Sequence, residues 1–185
     1  MMPEISLNIL DVAQNSVTAG STLVTISVTA DSRKDLMTVA ISDNGRGMTA
    51  EQVLHVTDPF FTTRTTRKVG LGVPFFKMAA EMAGGDFSIE STPGVGTTTQ
   101  ASFRIGHIDR MPLGDLAGTM SSLVGPSPEI DFILRVEMDG EVFEMDTRQF
   151  REVLGEGVSL SEPEVLAYLE EYVREGMAQV GADRL

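Results

Sequence analysis

The sequence of 185 residues contains no cysteine and only two histidines. The absence of cysteine excludes disulfides, thiol catalysis and cysteine metal sites, and it agrees with a cytoplasmic location. Neither a metal-ligand cluster nor a Ser/His/Asp nucleophile arrangement is visible in the sequence. No apolar run approaches the roughly 18 residues of a membrane span, and the start lacks the basic region of an export signal. We therefore expect a cytoplasmic protein without a membrane partner.

Apolar periodicity predicts alternating helices and strands in the first part of the chain. The first two strands should be antiparallel neighbours with one buried face, because their apolar and polar residues alternate. The stretch 57–69 has no period and is expected to be a long loop. The predicted helices cover residues 4–19, 50–56 and 74 to the Gly84-Gly85 pair, and the predicted strands cover 23–30, 37–42, 87–91 and 99–105.

Four short blocks between residues 11 and 98 carry the chemistry of the chain. Asp11 and Asn15 are four residues apart, so a helix would place them on one face. The glycines around Asp43 would let a flat ring approach a carboxylate that accepts from an amino group. A glycine pair beside Lys68, ahead of a helix, offers N–H groups to phosphates. In this order the blocks indicate a site for Mg·ATP; they are Asp11–Asn15, Asp43–Met48, Lys68–Val73 and Gly94–Thr98.

The ordered blocks resemble the GHKL superfamily of ATPases, which includes gyrase, Hsp90, MutL and the catalytic domains of histidine kinases. The segment Asp58–Arg64 resembles the phenylalanine box of the kinase branch, and the residues from Gly84 to Thr98 also resemble that branch. The resemblance covers residues 4–106. It implies an α+β fold of the Bergerat type, a two-layer α/β sandwich with a mixed, mainly antiparallel sheet and helices on one face. The nucleotide would lie between the helices and under the loop.

At the adenine end, this resemblance implies roles for the second and fourth blocks. Asp43 would accept the adenine amino group directly and through a water that Thr97 supports. Gly45 and Gly47 would let the backbone pass close to the base, with Met48 beside them. A simple turn after a strand would also explain an Asp-Asn-Gly sequence.

At the phosphate end, Asn15 would coordinate Mg²⁺, because a neutral amide oxygen suits a hard cation that keeps most of its waters. The loop 57–69 would form an ATP lid that closes on the nucleotide, with Phe60 and Phe61 packed at its base. Lys68 stands where the kinase branch usually has the first of three alternating glycines. The remaining residues expected to hold the phosphates are Arg64, Lys68, Gly70, Leu71 and Gly72.

Asp11 stands where the hydrolytic branch has a glutamate that activates water, and it is one methylene shorter. It would act as a general base for water or for a hydroxyl of a partner protein. A helix-surface carboxylate without a catalytic role is the alternative. His55 and His107 are interpreted as surface or packing residues. A phosphoacceptor histidine normally lies on a helical hairpin before the first block, and this sequence begins almost at that block. We therefore do not expect autophosphorylation on histidine.

The second part of the chain is strongly acidic. Residues 1–105 carry 8 Lys and Arg against 10 Asp and Glu, whereas residues 106–185 carry 6 against 17. The near-neutral part suits a polyphosphate ligand, and the acidic part argues against nucleic acid as a partner. We place a boundary here, with an ATP-binding domain over 1–106 and an acidic α+β appendage over 107–185. A solvated surface that keeps the protein soluble would also explain this charge.

The appendage has its own predicted elements. A helix should end near Leu123, a hairpin should turn at Asp139-Gly140, and Thr147 should cap a helix over 148–154. The last helix opens at Pro163, and its apolar stripe is interpreted as core, with a partner-binding face as the alternative. That stripe comprises Val165, Leu166, Leu169, Tyr172, Val173 and Met177.

The sequence is compatible with two functions. One is an enzyme, either a slow ATPase or a protein kinase that acts in trans as the anti-sigma serine kinases of the superfamily do. The other is a non-catalytic, ATP-gated interaction module. Both imply ATP, Mg²⁺ and a protein partner, and no residue specifies the partner or the oligomeric state.

Overall fold

One six-stranded sheet and a layer of helices make up the computed structural model, which describes residues 2–60 and 71–185. The strands are β1 (Leu23–Asp31), β2 (Leu36–Asp43), β3 (Phe87–Thr92), β4 (Gly96–Arg104), β5 (Asp131–Met138) and β6 (Glu141–Asp146). The helices are α1 (Ile5–Thr18), α2 (Ala50–Thr57), α3 (Gly72–Met82), α4 (Leu116–Val124), α5 (Thr147–Leu154) and α6 (Pro163–Gln179), followed by a short 3-10 helix (Ala182–Arg184). No helix in the described ranges is both long and apolar enough to cross a membrane.

The strands lie in the order β3-β4-β2-β1-β5-β6. Every neighbouring pair is antiparallel except β1 and β5, which are parallel. In the β2–β4 register, Asp43 lies opposite Thr97. The predicted mixed, mainly antiparallel sheet is therefore confirmed.

The core lies between the helices and one face of the sheet. Along β1, Val24, Ile26 and Val28 are fully buried, whereas the residues between them are partly exposed. The same alternation in β2 places Ile41 in the core and Asp43 on the same side of the sheet. Helix α1 packs on this face and contacts α3 and α4. The two-layer sandwich expected from the resemblance is thus confirmed.

The residues after 107 continue the same sheet. Strand β5 pairs with β1 along its whole length, with Ile26 opposite Leu134. Helix α4 contacts both α1 and α6, so the helical layer is also continuous. The domain boundary near residue 106 stays a prediction, and the sheet and helices run across it.

Two local features of the C-terminal elements, the β5–β6 turn and the N-cap of α5, test predictions from the sequence. The turn between β5 and β6 has positive φ at Asp139 and Gly140, as the hairpin prediction requires. The predicted cap of α5 is wrong, because the Asp146 carboxylate, one residue earlier, accepts from the Arg148 N–H. The Thr147 hydroxyl is buried and accepts from the Phe132 N–H at 2.9 Å, so it is engaged with the sheet instead.

The apolar stripe of α6 is mostly core. Val165, Leu169, Val173 and Met177 are buried. Tyr172, on the flank of the stripe, is only partly buried and packs against Phe143. The interpretation of this stripe as core is therefore confirmed for its central residues.

Candidate functional site

A cleft of about 210 Å³ opens between α1, the loop after β2 and the strands β3 and β4. Its wall is partly apolar, since Val12, Val56, Val73 and Ile89 contribute to the lining. Several residues that the sequence predicted to form one site meet here. They are Asn15, Asp43, Gly47, Met48 and Thr97.

The Asp43 carboxylate is held in a fixed orientation at this cleft. Its Oδ2 accepts a hydrogen bond from the Ser16 hydroxyl at 2.6 Å. Its Oδ1 accepts from the Gly45 N–H at 2.9 Å. Because each carboxylate oxygen has further acceptor capacity, the group can still receive a donor from a ligand.

Ser91 links the Asp43 loop to the strand that carries Thr97. The Ser91 hydroxyl accepts from the Met48 N–H at 2.8 Å and donates to the Gly96 carbonyl at 3.1 Å. Its oxygen also lies 2.8 Å from the Thr97 hydroxyl. Either hydroxyl can be the donor in this last bond. The Thr97 oxygen, which has one hydrogen and two lone pairs, therefore keeps capacity for a further hydrogen bond at the cleft that it lines.

The glycines of this loop are required by the packing of the chain itself. Gly47 has φ of +68°, and a Cβ there would lie 2.0 Å from the Thr92 carbonyl oxygen. A Cβ on Gly45 would lie 2.8 Å from the Ala19 Cβ at the end of α1. The loop therefore packs against α1 and the β3–β4 turn. The approach of Gly45 and Gly47 to a base stays a prediction.

Helix α1 carries Asp11 and Asn15 one turn apart. Asn15 is exposed and lines the cleft, and within the described ranges its side chain forms no hydrogen bond. Asp11 is half-buried and lies against the start of α3, where a Cβ on Gly72 would be 2.8 Å from the Asp11 Cβ. Burial raises the pKa of the Asp11 carboxyl above its usual value.

The N-terminus of α3 faces this carboxylate without a side-chain cap. Leu71 occupies the N-cap position, and no side chain of the described residues caps the helix. The first N–H groups of a helix lack partners within the helix and attract anions. The other predicted phosphate-binding residues, Arg64, Lys68 and Gly70, lie outside the described residues, as does most of the predicted lid.

One prediction at the base of the lid is wrong. The Phe60 side chain is 85% exposed and does not pack on the core. Its N–H donates to the Asp58 Oδ1 at 2.8 Å, which forms a turn through Pro59. Phe61 lies outside the described residues.

Sequence reasoning missed Ser16 and Ser91. Ser16 is 3% exposed and bonds to a residue 27 positions away, so no local pattern connects the two. Ser91 follows the strand alternation of β3 like its neighbours. Arg46 was also missed as a lining residue, and its guanidinium lies 3.4 Å from the Thr18 carbonyl.

Comparison with known sequences identifies a family and relatives of this chain. The family described as "Histidine kinase-, DNA gyrase B-, and HSP90-like ATPase" matches residues 3–107. The "Non-motile and phage-resistance protein" of Caulobacter vibrioides is 33% identical over 97 residues, which are 50% of this chain and 12% of that protein. Sensor histidine kinase ZraS of Klebsiella oxytoca is 40% identical over 58 residues, 31% of this chain and 12% of that protein. The chain thus spans about an eighth of the length of these relatives.

Solved structures share the fold over more of the chain. The Aquifex aeolicus MutL ATPase domain complexed with ADP superimposes with a TM-score of 0.51 at 13% identity, covering 94% of this chain and 70% of that one. The N-terminal domain of a DNA repair protein gives a TM-score of 0.56 at 13% identity, covering 84% and 58%. At this identity the likeness concerns the fold alone.

These findings agree with one another and with the four ordered blocks. The family match extends over more than half of the chain, and its bounds include Asn15, Asp43 and Thr97, which line the cleft together. The chain therefore belongs to the histidine kinase-, DNA gyrase B- and HSP90-like ATPases, with a GHKL-type ATP-binding domain.

Proposed function

We propose that this protein binds Mg·ATP in the cleft beside Asp43 and uses it for slow hydrolysis or for phosphoryl transfer to a partner protein. The observation that carries the proposal is the fixed Asp43 carboxylate, with bonds from Ser16 and Gly45 and with Thr97 opposite. A carboxylate with remaining acceptor capacity suits the adenine amino group. The cleft volume of about 210 Å³ is below the roughly 300–1,000 Å³ of pockets that enclose a whole ligand. This volume suits the adenine base alone, with the phosphates of ATP outside the cleft.

The phosphates would then run past Asn15 to the start of α3. The Asn15 amide, exposed and without a partner in the described chain, fits a Mg²⁺ ion that takes few protein ligands. The uncapped N–H groups after Leu71 and Gly72 fit phosphate oxygens. Arg64, Lys68 and Gly70 would add charge and backbone donors from the lid.

Asp11 is the proposed general base. Its contact with Gly72, at the start of α3, supports this role, because the phosphates are proposed to end there. Burial raises the pKa of the Asp11 carboxyl towards neutral pH, which favours proton transfer. The carboxylate would take a proton from a water or from a partner hydroxyl that attacks the terminal phosphate.

One observation favours the second candidate function, a non-catalytic, ATP-gated interaction module. Asn15 lines the cleft, but Asp11, one turn earlier, does not. An aspartate is one methylene shorter than a glutamate, so its oxygen has less reach to an attacking group. In this module, lid closure on ATP would change a docking surface, and turnover would be incidental.

Calorimetry on Asp43→Ala tests the binding site. Loss of one desolvated hydrogen bond to adenine should weaken ATP binding by ~1.5–3 kcal/mol, roughly 10- to 150-fold. Asp86→Ala is the matched control, because Asp86 is exposed at the start of β3 and outside the cleft lining. Equal affinity of wild type and Asp43→Ala would refute the site.

Steady-state hydrolysis separates the two functions. The rates of ATP hydrolysis by the wild type and by the isosteric Asp11→Asn variant should be measured with and without cell extract. In the same reactions, transfer of a labelled γ-phosphate to protein should be measured. Loss of turnover or transfer in Asp11→Asn with retained ATP affinity supports the enzyme. Indistinguishable rates would remove Asp11 as a base and favour the gated module.

A further inference from the structure

A second concave surface lies at the other end of the sheet from the cleft. A groove of about 450 Å³ runs between α5 and α6, within the range of about 300–1,000 Å³ for ligand pockets. It flanks β6, the terminal strand, whereas the cleft lies over β2 and β4. We define this surface as the α5–α6 groove, with Phe150, Val153, Leu154, Val165, Tyr168 and Tyr172 in its lining.

Part of the apolar lining of the α5–α6 groove is exposed to solvent. Val153 is 88% exposed and Tyr168 is 63% exposed. Phe150 contacts both Tyr168 and Tyr172, with ring centroids 5.9 and 5.4 Å apart. A contiguous aromatic and aliphatic patch of this kind marks an interaction site more often than a single exposed residue does.

The part of the chain that contains the groove is strongly acidic. Residues 141–175 contain ten Asp and Glu against three Arg. Each arginine is already paired: Arg148 with Asp146, Arg151 with Asp131, and Arg174 with Glu170.

Three glutamates of this region have no such partner: Glu164 lines the groove, and Glu152 and Glu156 lie within two residues of the lining residues Val153 and Leu154. Glu152, Glu156 and Glu164 are exposed, and in the described part of the chain none of them forms an ion pair. An apolar floor with an uncompensated acidic rim is complementary to an apolar segment flanked by cations.

We propose that the α5–α6 groove binds an amphipathic helix of a partner protein, with apolar residues in the groove and Lys or Arg against Glu152, Glu156 and Glu164. Two helices form the walls, and a third helix fits between such walls through anchors at i, i+3, i+4 and i+7. A second copy of this chain would bring the same acidic rim opposite and be repelled. Anionic lipid headgroups would be repelled for the same reason. This inference does not rest on the nucleotide chemistry proposed above.

The experiment is a selection from a random-peptide phage library on the full chain, followed by anisotropy with the selected peptides. We expect enriched sequences that combine basic residues with apolar residues at helical spacing. Val153→Asp should weaken their binding by about tenfold or more, because a carboxylate would enter the apolar contact. If the basic peptides bound only through nonspecific attraction to an acidic protein, Val153→Asp should strengthen their binding, since the variant carries one more negative charge.

Ile108→Asp is the matched control, because Ile108 is 94% exposed and does not line the groove. It should retain binding within about twofold. Three outcomes would overturn the proposal. These are enrichment of acidic or uncharged peptides only, equal effects of both variants, and self-association in sedimentation that Val153→Asp abolishes.

Discussion

Ser16 should determine nucleotide affinity without being in the sequence motif. Ser16→Ala removes the hydroxyl that donates to Asp43 Oδ2 at 2.6 Å and leaves only the Gly45 N–H to orient the carboxylate. A hydrogen bond to a charged group contributes ~1.5–3 kcal/mol, and the better helix propensity of alanine offsets about 0.5 kcal/mol. We therefore expect a loss of roughly 1–2.5 kcal/mol in the free energy of unfolding.

ATP affinity should fall by less than in Asp43→Ala, because the acceptor itself is still present. We expect about a threefold to tenfold weakening, or ~0.7–1.4 kcal/mol, from the looser orientation of the carboxylate. Isothermal calorimetry for ATP and chemical denaturation for stability measure the two quantities separately.

Ser21→Ala is the matched control for this prediction. Ser21 is also buried, and its hydroxyl donates to the Ser16 backbone carbonyl at 2.7 Å. Its loss should cost about 1 kcal/mol of stability, as for a neutral bond, with ATP affinity unchanged. The reasoning is refuted if Ser16→Ala binds ATP like the wild type, or if both serine variants lose affinity equally.

Three further predictions follow from the site and its surroundings. Asp11→Asn should raise the melting temperature at pH 7, because burial raises the folded-state pKa of Asp11 and therefore destabilises the protein when this carboxyl is ionised. In melting curves over a pH series, this gain should disappear below the unfolded-state pKa of about 3.9, where the carboxyl is protonated in both states. A gain that persists below that pH would contradict this cause. Gly47→Ala should destabilise the protein by about 1–3 kcal/mol more than Gly94→Ala in denaturant titrations, because both glycines have positive φ but only at Gly47 would the Cβ meet a carbonyl. The pKa of Asp146 is lowered mainly by the hydrogen bond from the Arg148 side chain, so the ionised carboxylate should stabilise the fold above about pH 3.9. This stabilisation should be lost as the pH falls through the lowered folded-state pKa. The melting temperature of Asp146→Asn should therefore fall less on acidification than that of the wild type.

The features of the site that depend on local spacing could be predicted from the sequence. Asp43 ends a strand whose alternation is clear, so its place at the edge of the core follows from the pattern. Asp11 and Asn15 are spaced for one face of α1, and the structure places them one turn apart. These relations need only a few neighbouring residues, which is why pattern reasoning captures them.

The features that depend on contacts between residues far apart in the sequence could not be predicted. The bond from Ser16 to Asp43 and the pairing of β1 with β5 join residues far apart in sequence, and many strands have the same alternation. Thr147 and Asp146 are both good caps by residue type. Only the position of Phe132 on the neighbouring strand decides that Thr147 bonds to the sheet.

The parallel pairing of β1 with β5 affects the order in which the protein can fold during synthesis. Strand β2 follows β1 after a short turn, but β5 begins about 100 residues after β1 ends, which is ~5–20 s at usual elongation rates. Until then the free edge of β1, a nine-residue strand with Asp31 as its one charged residue, exposes unpaired backbone groups. Such an edge is a template for pairing with another chain. The nascent protein is therefore most exposed to aggregation before its last third emerges, and a chain that ended at residue 106 would keep this edge permanently open.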